Sequence, residues 1–306
     1  MISSDRELLK PDTILATFGK SFYWAWQFLG KRLGSETAML YRFCRLLDDM
    51  ADGDIDDGPS RLRQIRDDMA CGSGSKDPLF VDFQDFMITK KLPLPVILAL
   101  IDGLLSDLEL VDVKDEIELL RYCYNVAGTV GLLMSSVLGC DTERARAHAI
   151  DLGIAMQLTN IARDVLEDAQ MGRRYLPASW VGNISPEEIV KIANAPMNET
   201  KESVNRGVEK LLNLAEQYYR SGLDGCSFLP VRAHLAISVA ARVYRQIGVK
   251  IASNRFVWHE GRQFTSVSEK TICSILALLA MPRRVLPVPH HYTYLHEPLK
   301  GLPYVE

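Results

Sequence analysis

The stretch Gln157-Leu-Thr-Asn-Ile-Ala-Arg-Asp-Val-Leu-Glu-Asp168 decides the fold of this chain. Asn160, Asp164 and Asp168 recur at every fourth position, and residues four apart in an α-helix lie above one another on one face. Gln157 precedes Asn160 by three residues and joins that face, whereas the intervening apolar residues point elsewhere. The pattern predicts a helix with one packed face and one face of oxygen ligands, here called the Asp164 ladder (Gln157, Asn160, Asp164 and Asp168).

A second acidic pair with the same spacing occurs in Asp48-Asp-Met-Ala-Asp52, here called the Asp48 ladder (Asp48 and Asp52). Carboxylates at this spacing lie about 6 Å apart, and at an effective dielectric constant of about 20 they repel each other by about 3 kcal/mol. A buried pair therefore needs a cation. Mg²⁺ is typically bound by one or two carboxylates together with the phosphates of a substrate. Two ladders facing each other across a helical cavity would hold several Mg²⁺ ions and a diphosphate between them.

The alternative interpretation is that each acidic pair is a solvated helix face, which is usual for one such pair alone. Mostly apolar sequence precedes both pairs, at residues 43–47 and 152–158. Solvated helix faces rarely have such flanks. The two pairs together therefore favour ligand binding.

The composition is that of an ordinary globular protein, with 306 residues, 47% hydrophobic and 24% charged. A chain of this length can bury a large core and can form one or two domains. The net charge of −4 provides no basic field for nucleic acid, so we expect no nucleic-acid partner.

Cysteine usage and the N-terminus favour a cytoplasmic location. The six cysteines are scattered without a CxxC pair, and most lie in apolar runs, which is typical of reduced, buried thiols. The polar N-terminus lacks the apolar core of a signal peptide. No apolar run reaches the roughly 18–20 residues that a membrane span needs.

Helical periodicity runs along most of the chain, with no alternating strand pattern and no hairpin dipeptide between two strands. The predicted helices cover residues 12–29, 34–52, 60–70, 79–90, 95–110, 115–139, 144–170, 198–224, 229–254 and 267–281, with a further start at Ser185. Residues 282–306 form a proline-rich tail without clear periodicity. We therefore predict an all-α fold in which residues 1–306 form a single helical domain around a central cavity.

Residues 122–131 contain Ala127, Gly128 and Gly131. A glycine inside a helix costs about 1 kcal/mol relative to alanine, so two glycines this close indicate a need for space. One interpretation is a helix that kinks or thins so that a long apolar ligand can pass. The other is tight packing between helices.

Arginines near the ladders have the chemistry to bind a diphosphate. Arg45 precedes Asp48 by about one helical turn, and Arg173 follows the Asp164 ladder after a short loop. The planar guanidinium group of arginine suits diphosphate oxygens. The positions of Arg45 and Arg173 favour a role in ligand binding over a role as isolated surface charges.

The ordered set of motifs resembles the squalene/phytoene synthase family, the head-to-head trans-prenyltransferases, and in particular its bacterial phytoene synthase-like members. The resemblance runs from Lys20-Ser-Phe22 to about residue 251. It includes Tyr41-Arg-Phe-Cys-Arg-Leu-Leu-Asp-Asp49, residues 122–131, residues 157–177 and Ala240-Ala-Arg-Val-Tyr244. The aspartate motifs alone are moderately specific, whereas the whole ordered set is highly specific.

The resemblance implies an isoprenoid-synthase α-fold and Mg²⁺-dependent joining of two prenyl diphosphates, with loss of diphosphate and formation of a cyclopropylcarbinyl diphosphate. Mn²⁺ is expected to substitute for Mg²⁺. The implied metal ligands are Asp48, Asp52, Asn160, Asp164 and Asp168. The implied catalytic residues are these five together with Tyr41, Arg45 and Tyr244. The implied substrate-binding residues are Ser21, Phe22, Tyr122, Val126, Val130, Gln157, Arg163, Arg173 and Tyr175.

One position departs from the family pattern. Some members carry a histidine three or four residues before the Ser-Phe pair, where this chain has Thr17-Phe18. One diphosphate contact therefore lacks its counterpart. Arg262 is the candidate for a basic contact from the C-terminal part of the chain.

The expected reaction joins two C20 diphosphates to phytoene, a carotenoid precursor, without a reductant. The alternative of the same class joins two C15 diphosphates to presqualene diphosphate, dehydrosqualene or squalene, and NADPH is needed only for squalene. An alternative of another class is a non-catalytic family member that acts as an assembly factor, although such proteins tend to lose the acidic ladders. The expected partners are prenyl diphosphate substrates, and the expected oligomeric state is a monomer.

The products of such chemistry are water-insoluble hydrocarbons, so we expect peripheral contact with the inner face of the membrane. The candidate surface is Phe256-Val-Trp258 followed by residues 272–281, with Arg283 and Arg284 behind them. Apolar residues next to basic ones suit interfacial attachment. The alternative is that residues 272–281 form a core helix and that Arg283 and Arg284 lie in a solvated turn.

Overall fold

Helices make up most of the computed structural model, which describes residues 9–72, 74–287 and 290–305. They are α1 (Pro11–Phe18), α2 (Lys20–Trp26), α3 (Lys31–Ala51), α4 (Gly58–Ala70), α5 (Pro78–Thr89), α6 (Leu94–Ser106), α7 (Glu116–Cys123), α8 (Thr129–Val137), α9 (Glu143–Gln170), α10 (Ala178–Val181), α11 (Pro186–Ala193), α12 (Glu199–Gly225), α13 (Val231–Ser253) and α14 (Val267–Ala280). Within the described ranges, β pairing is limited to an isolated bridge between Asp112 and Arg174. The all-α prediction is confirmed.

Helix α9 is the central element, 28 residues long, and it packs against α8, α12 and α13. The Thr142 hydroxyl caps its start by accepting a hydrogen bond from the backbone N–H of Ala145 at 3.3 Å. Beyond its end, Gly172 adopts a φ of +77°, a conformation that favours glycine. Because its packed face is fixed on several sides, α9 determines where the Asp164 ladder points.

The helix predicted over residues 12–29 is instead two helices, α1 and α2, which separate at Gly19. Gly19 has a φ of −109° and a ψ of 47°, outside the helical region. A Cβ at this position would lie only 2.8 Å from the Tyr41 hydroxyl. The close approach of Tyr41 therefore requires glycine, and α2 starts afresh with Ser21 and Phe22 in its first turn.

The helix predicted over residues 115–139 contains a π-helical turn, Tyr124–Gly128, between α7 and α8. Just beyond it, a Cβ on Gly131 would lie 2.1 Å from the backbone oxygen of Ala149 on α9. This contact confirms tight helix packing at the glycine. The π turn also places a distortion in the same segment, and such turns are frequent at functional sites.

The proline-rich tail is packed onto the helices through residues 290–305, here called the strap. A 3₁₀ turn at Thr293–Leu299 buries Leu295 and Leu299 in the main core. The Tyr218 hydroxyl on α12 donates a hydrogen bond to the Leu295 carbonyl at 2.7 Å. The strap is therefore an integral part of the structure, although its sequence shows no periodicity.

The six cysteines are free thiols, as predicted. Four are buried, Cys44 is half-buried, and Cys71 is exposed, which agrees with the expectation that most of them are buried. Burial raises the pKa of the Cys44 thiol to about 12 and that of Cys226 to about 11, so both stay protonated.

Candidate active site

A cavity of about 990 Å³ runs through the helices, and its lining includes every residue assigned to the site from the sequence. These residues are Ser21, Phe22, Tyr41, Arg45, Asp48, Asp52, Tyr122, Val126, Val130, Gln157, Asn160, Arg163, Asp164, Asp168, Arg173, Tyr175, Tyr244 and Arg262. Helix α9 borders the cavity from Ala145 at one end to Asp168 at the other. We call the polar end with the two ladders the mouth and the end near Ala145 the floor.

The two ladders lie on different helices but at the same end of the cavity, the mouth. The Asp48 ladder occupies the last turn of α3, with Asp52 directly after the helix, and the Asp164 ladder occupies the C-terminal part of α9. Arg173, in the loop after α9, donates to Oδ1 of Asp52 through both terminal nitrogens at 3.2 Å. This contact ties the end of one ladder to the loop that follows the other.

Burial raises the pKa of Asp48 to about 7, although the positive charge of Arg45 lowers it. The neighbouring Asp52 adds to the rise. This holds although 43% of the Asp48 side-chain surface is exposed to the cavity. Burial also raises the pKa of Asp168 to about 8, with a further contribution from Asp164. Charge is therefore unfavourable on both carboxyl groups unless a cation joins them.

Arg45 is held on the Asp48 side of the mouth. Its guanidinium group lies 3.3 Å from the Asp48 carboxylate and 2.5 Å from Asp49, which is 1% exposed. It also lies 5.3 Å from the centre of the Phe18 ring. These contacts orient Arg45 at the cavity wall, where its remaining donors can meet diphosphate oxygens.

Two arginines converge on Asp164. Arg163 binds the adjacent carboxylate through two nitrogens, at 2.7 and 2.5 Å. Arg262 reaches the same carboxylate at 2.9 Å from the loop between α13 and α14. The backbone of Asp164 itself leaves the helical region, with a φ of −107° and a ψ of 15°, so α9 is kinked at this residue.

The buried amide of Asn160 shows that the mouth suits a hard cation. Its nitrogen donates to Oε1 of Gln157 at 3.2 Å, and its buried oxygen has no hydrogen-bond partner among the described residues. An unpaired buried carbonyl is costly. The five candidate ligands, Asp48, Asp52, Asn160, Asp164 and Asp168, offer only oxygen atoms, which is the donor set that Mg²⁺ prefers.

Aromatic rings form the wall beside the mouth. Phe22 stacks on Tyr244 with the ring centres 4.9 Å apart and tilts against Tyr41 at 6.1 Å. Burial raises the pKa of Tyr41 well above its ordinary value, so its hydroxyl keeps its proton. Such a wall excludes water and can stabilise a carbocation through the ring faces.

Asp107, just after α6, is a site residue that the sequence analysis missed. The Tyr122 hydroxyl donates to it at 3.0 Å and the Tyr175 hydroxyl at 2.8 Å, and the two rings stack with centres 4.7 Å apart. Burial raises the pKa of Asp107, although both hydrogen bonds oppose the rise. Asp107 thus orients two predicted substrate contacts. Its only sequence signal is an acid within an apolar run.

Lys20 and Lys270 also line the cavity and were missed. Lys20 begins the Lys20-Ser-Phe22 motif and could have been identified from it, whereas Lys270 lies in none of the motifs. Arg174, which follows the ladder directly, has a structural role instead: it is buried, binds Asp112, and donates to the carbonyl of Val113 at 3.1 Å.

Comparison with known proteins gives two kinds of match. The squalene/phytoene synthase family profile matches residues 15–269. A phytoene synthase from Pseudescherichia vulneris is 36% identical over 288 residues, covering 89% of this chain and 90% of that protein. A 15-cis-phytoene synthase from Enterobacter agglomerans is 34% identical over 270 residues, covering 84% of this chain and 90% of that protein.

Solved structures with the same fold include a dehydrosqualene synthase in complex with a ligand, with a TM-score of 0.75 at 24% identity. That match covers 92% of this chain and 98% of the solved one. The squalene synthase HpnC from Alicyclobacillus acidocaldarius has a TM-score of 0.66 at 21% identity, over 83% of this chain and 95% of the solved one. At these identities the likeness concerns the fold.

Proposed function

This chain belongs to the squalene/phytoene synthase family and is a prenyltransferase, and we propose that it joins two geranylgeranyl diphosphates head to head to form phytoene. The observation that carries the proposal is the meeting of two carboxylate ladders and several arginines at the mouth of one long, largely apolar cavity. The named relatives that cover most of the chain are phytoene synthases, which supports the C20 substrate.

The mouth is the place for the diphosphate groups. Asp48, Asp52, Asn160, Asp164 and Asp168 would hold Mg²⁺, which supplies charge stabilisation to a departing diphosphate when bound. Arg45, Arg163 and Arg173 already lie at these carboxylates and have further N–H donors for diphosphate oxygens. Ser21 and Gln157 add neutral polar groups to the same wall.

The apolar part of the cavity protects the reacting carbons. In the first step, one prenyl group loses diphosphate, its C1 bonds to the double bond of the second molecule, and loss of a proton closes the cyclopropane ring. In the second step, the other diphosphate leaves, the skeleton rearranges, and loss of another proton gives phytoene. The Phe22, Tyr41 and Tyr244 rings keep water from the cations and stabilise them by about 2 kcal/mol or more in a dry site.

Product analysis tests this proposal. Purified protein is incubated with C10, C15 or C20 prenyl diphosphate, each with and without NADPH, in the presence of Mg²⁺. We expect phytoene from the C20 substrate, with a yield that NADPH does not change. Squalene formed from the C15 substrate only with NADPH would instead support the squalene alternative. Absence of any condensed product would support a non-catalytic assembly factor.

We further propose that the protein docks on a membrane through α14. Among the described residues, no helix combines the length and hydropathy that a membrane crossing requires. One side of α14 nevertheless exposes a set of apolar side chains, here called the α14 face: Ile272, Ile275, Leu276, Leu278 and Leu279. The core-helix interpretation of residues 272–281 is therefore wrong for this face, although Cys273 and Ala277 are buried.

Other parts of the predicted docking surface need correction. Trp258 is 3% exposed and packs in the main core, so it cannot contact a membrane. Arg284 is half-buried and donates to the carbonyl of Leu229. The side chain of Arg283 lies outside the described residues. The proposed surface is thus the α14 face itself.

The position of α14 relative to the cavity supports a lipid surface as its partner. Lys270 in its first turn lines the cavity, and Ser274 accepts a hydrogen bond from the Trp24 indole N–H at 3.0 Å. The α14 face points away from these contacts and is exposed. An apolar face beside the cavity would let a C40 hydrocarbon pass into lipid without crossing water.

Co-sedimentation with anionic liposomes tests the docking surface. We expect the double variant Ile275→Ser, Leu279→Ser to bind about tenfold more weakly or worse, because two apolar side chains no longer enter the lipid. Ile88→Ser is the matched control, since Ile88 is 63% exposed on α5. Equal binding by both variants, no binding by the unchanged protein, or a dimer that only the α14 variant abolishes in light scattering would contradict lipid docking.

A further inference from the structure

His148, on the second turn of α9, belongs to the floor of the cavity. It lies about 24 Å along the helix from Asp164, given the rise per residue of an α-helix. Its neighbours in the lining include Leu138, Cys140, Cys226 and Leu229, and its side chain is 2% exposed. A histidine therefore lies where the far end of a prenyl chain would stop.

The ring of His148 is fixed from behind by α12. Its Nδ1 donates to the Ser221 carbonyl at 2.8 Å and lies 3.0 Å from the Ser221 hydroxyl. A carbonyl can only accept, so Nδ1 carries the proton. A Cβ on Gly225 would lie 2.2 Å from the His148 Cβ. The backbone of α12 is therefore so close that the His148 side chain cannot move toward it.

The protonation state of His148 is compatible with an apolar ligand. Burial lowers the pKa of His148, so the ring is neutral at neutral pH despite the nearby Asp151. Its Nε2 is buried and has no hydrogen-bond partner among the described residues. An uncharged ring edge can contact the end of a hydrocarbon chain.

A chain of hydrogen bonds connects His148 to the strap. The Ser221 hydroxyl donates to Oδ2 of Asp151 at 2.5 Å. Asp151 is fully buried and also accepts from Nε2 of His291 at 2.7 Å and from Nε2 of His296 at 2.9 Å. Burial alone would raise the pKa of Asp151, but the two imidazoles lower it and keep the carboxylate charged.

Asp151, His291 and His296 are also close enough to be considered as metal ligands. Each imidazole, however, already donates directly to a carboxylate oxygen at ordinary hydrogen-bond distance. The cluster is therefore satisfied as an anchor, and charge-assisted bonds of this kind are the strong ones. Its effect is to fasten the strap to α9 one helical turn after His148.

We propose that His148 is a specificity-determining residue that limits the length of the prenyl chain, and that Ser221, Asp151 and the strap act as positioning residues that hold it at the floor. This inference rests on the proposed prenyl diphosphate function. A C25 chain carries one isoprene unit more than a C20 chain and would overlap the ring. The strap lies beyond residue 269, where the match to the family profile ends.

The test is competition between prenyl diphosphates of different length. The readout is the ratio of kcat/KM values, which loss of folded protein alone does not change. We expect His148→Ala to raise the ratio for C25 over C20 by at least about tenfold, as one added group in an apolar pocket does. We expect His148→Phe, which fills more of the floor, to raise the ratio for C15 over C20 by a similar factor.

His234→Ala is the matched control. His234 is also a buried histidine with a lowered pKa, but it lies on α13 outside the cavity lining. We expect both ratios to stay at the wild-type value in this variant. Unchanged ratios in His148→Ala and His148→Phe, or a shift of equal size in His234→Ala, would overturn the proposal.

The double variant His291→Gln, His296→Gln tests the role of the strap. We expect it to shift the C25 over C20 ratio in the same direction as His148→Ala, and to add nothing in the His148→Ala background. Additive shifts would overturn the positioning role. If the wild-type protein converts no C20 diphosphate, both the proposed function and this inference fail. If it does and the ratios stay fixed, only this inference fails.

Discussion

Asp48→Asn and Asp164→Asn are each expected to lower turnover at saturating Mg²⁺ by about a thousandfold, as loss of one key electrostatic partner does in other enzymes. Each substitution removes one negative charge from a ladder and leaves the side-chain shape unchanged. Because burial and neighbouring carboxylates disfavour the charge on Asp48, its neutral isostere should keep the free energy of unfolding at or above that of the wild type.

Steady-state kinetics and thermal unfolding, measured together, separate these effects. Asp85→Asn is the matched control, because Asp85 is an exposed acid on α5 outside the cavity lining. Wild-type activity is expected for this control. Near-wild-type activity of either ladder variant would contradict the proposal that both ladders bind metal.

Removal of divalent cations is expected to have an effect of similar size. Several kcal/mol of charge stabilisation correspond to a fall in rate of about a thousandfold or more. After dialysis against EDTA, we expect no measurable product, and full recovery on addition of Mg²⁺ or Mn²⁺. EDTA already saturated with Mg²⁺ is the control for effects of the chelator itself. Undiminished turnover in metal-free buffer would contradict a ligand role for the carboxylates.

The polar face of α9 could be predicted because helical spacing is a local property. The spacing of Asn160, Asp164 and Asp168 places them on one face of a regular helix, and all three line the cavity despite the kink at Asp164. Their apolar flanks then predict that this face looks into a cavity. The same reasoning places Asp48 and Asp52 on α3, and both ladders do line one cavity.

The break at Gly19 could not be predicted, since its cause lies on another helix. Residues 12–29 keep an aromatic-rich helical pattern, and only the position of the Tyr41 hydroxyl requires the separation of α1 from α2. The π turn at Tyr124–Gly128 is similar. The nearby glycines indicate a need for space, but the form of the distortion depends on how α8 meets α9.

The contacts of Asp107 and Asp151 depend on tertiary structure. Asp151 and His291 are 140 positions apart, and Asp107 and Tyr175 are 68 apart. No local spacing connects such pairs, because packing alone determines which chain segments meet. The strap shows the same limit: its proline-rich sequence has no periodicity, yet it fixes a buried carboxylate through two histidines.

The location of bound cations tests the central claim most directly, namely that the two ladders form one metal-dependent diphosphate site. We suggest crystals of the wild-type protein grown with Mn²⁺ and a non-hydrolysable thio analogue of geranylgeranyl diphosphate, with anomalous scattering used to locate Mn²⁺. We expect Mn²⁺ in contact with carboxylates of both the Asp48 and the Asp164 ladder, and the analogue's diphosphate between them. Mn²⁺ on one ladder only, or a diphosphate bound away from both, would contradict the claim.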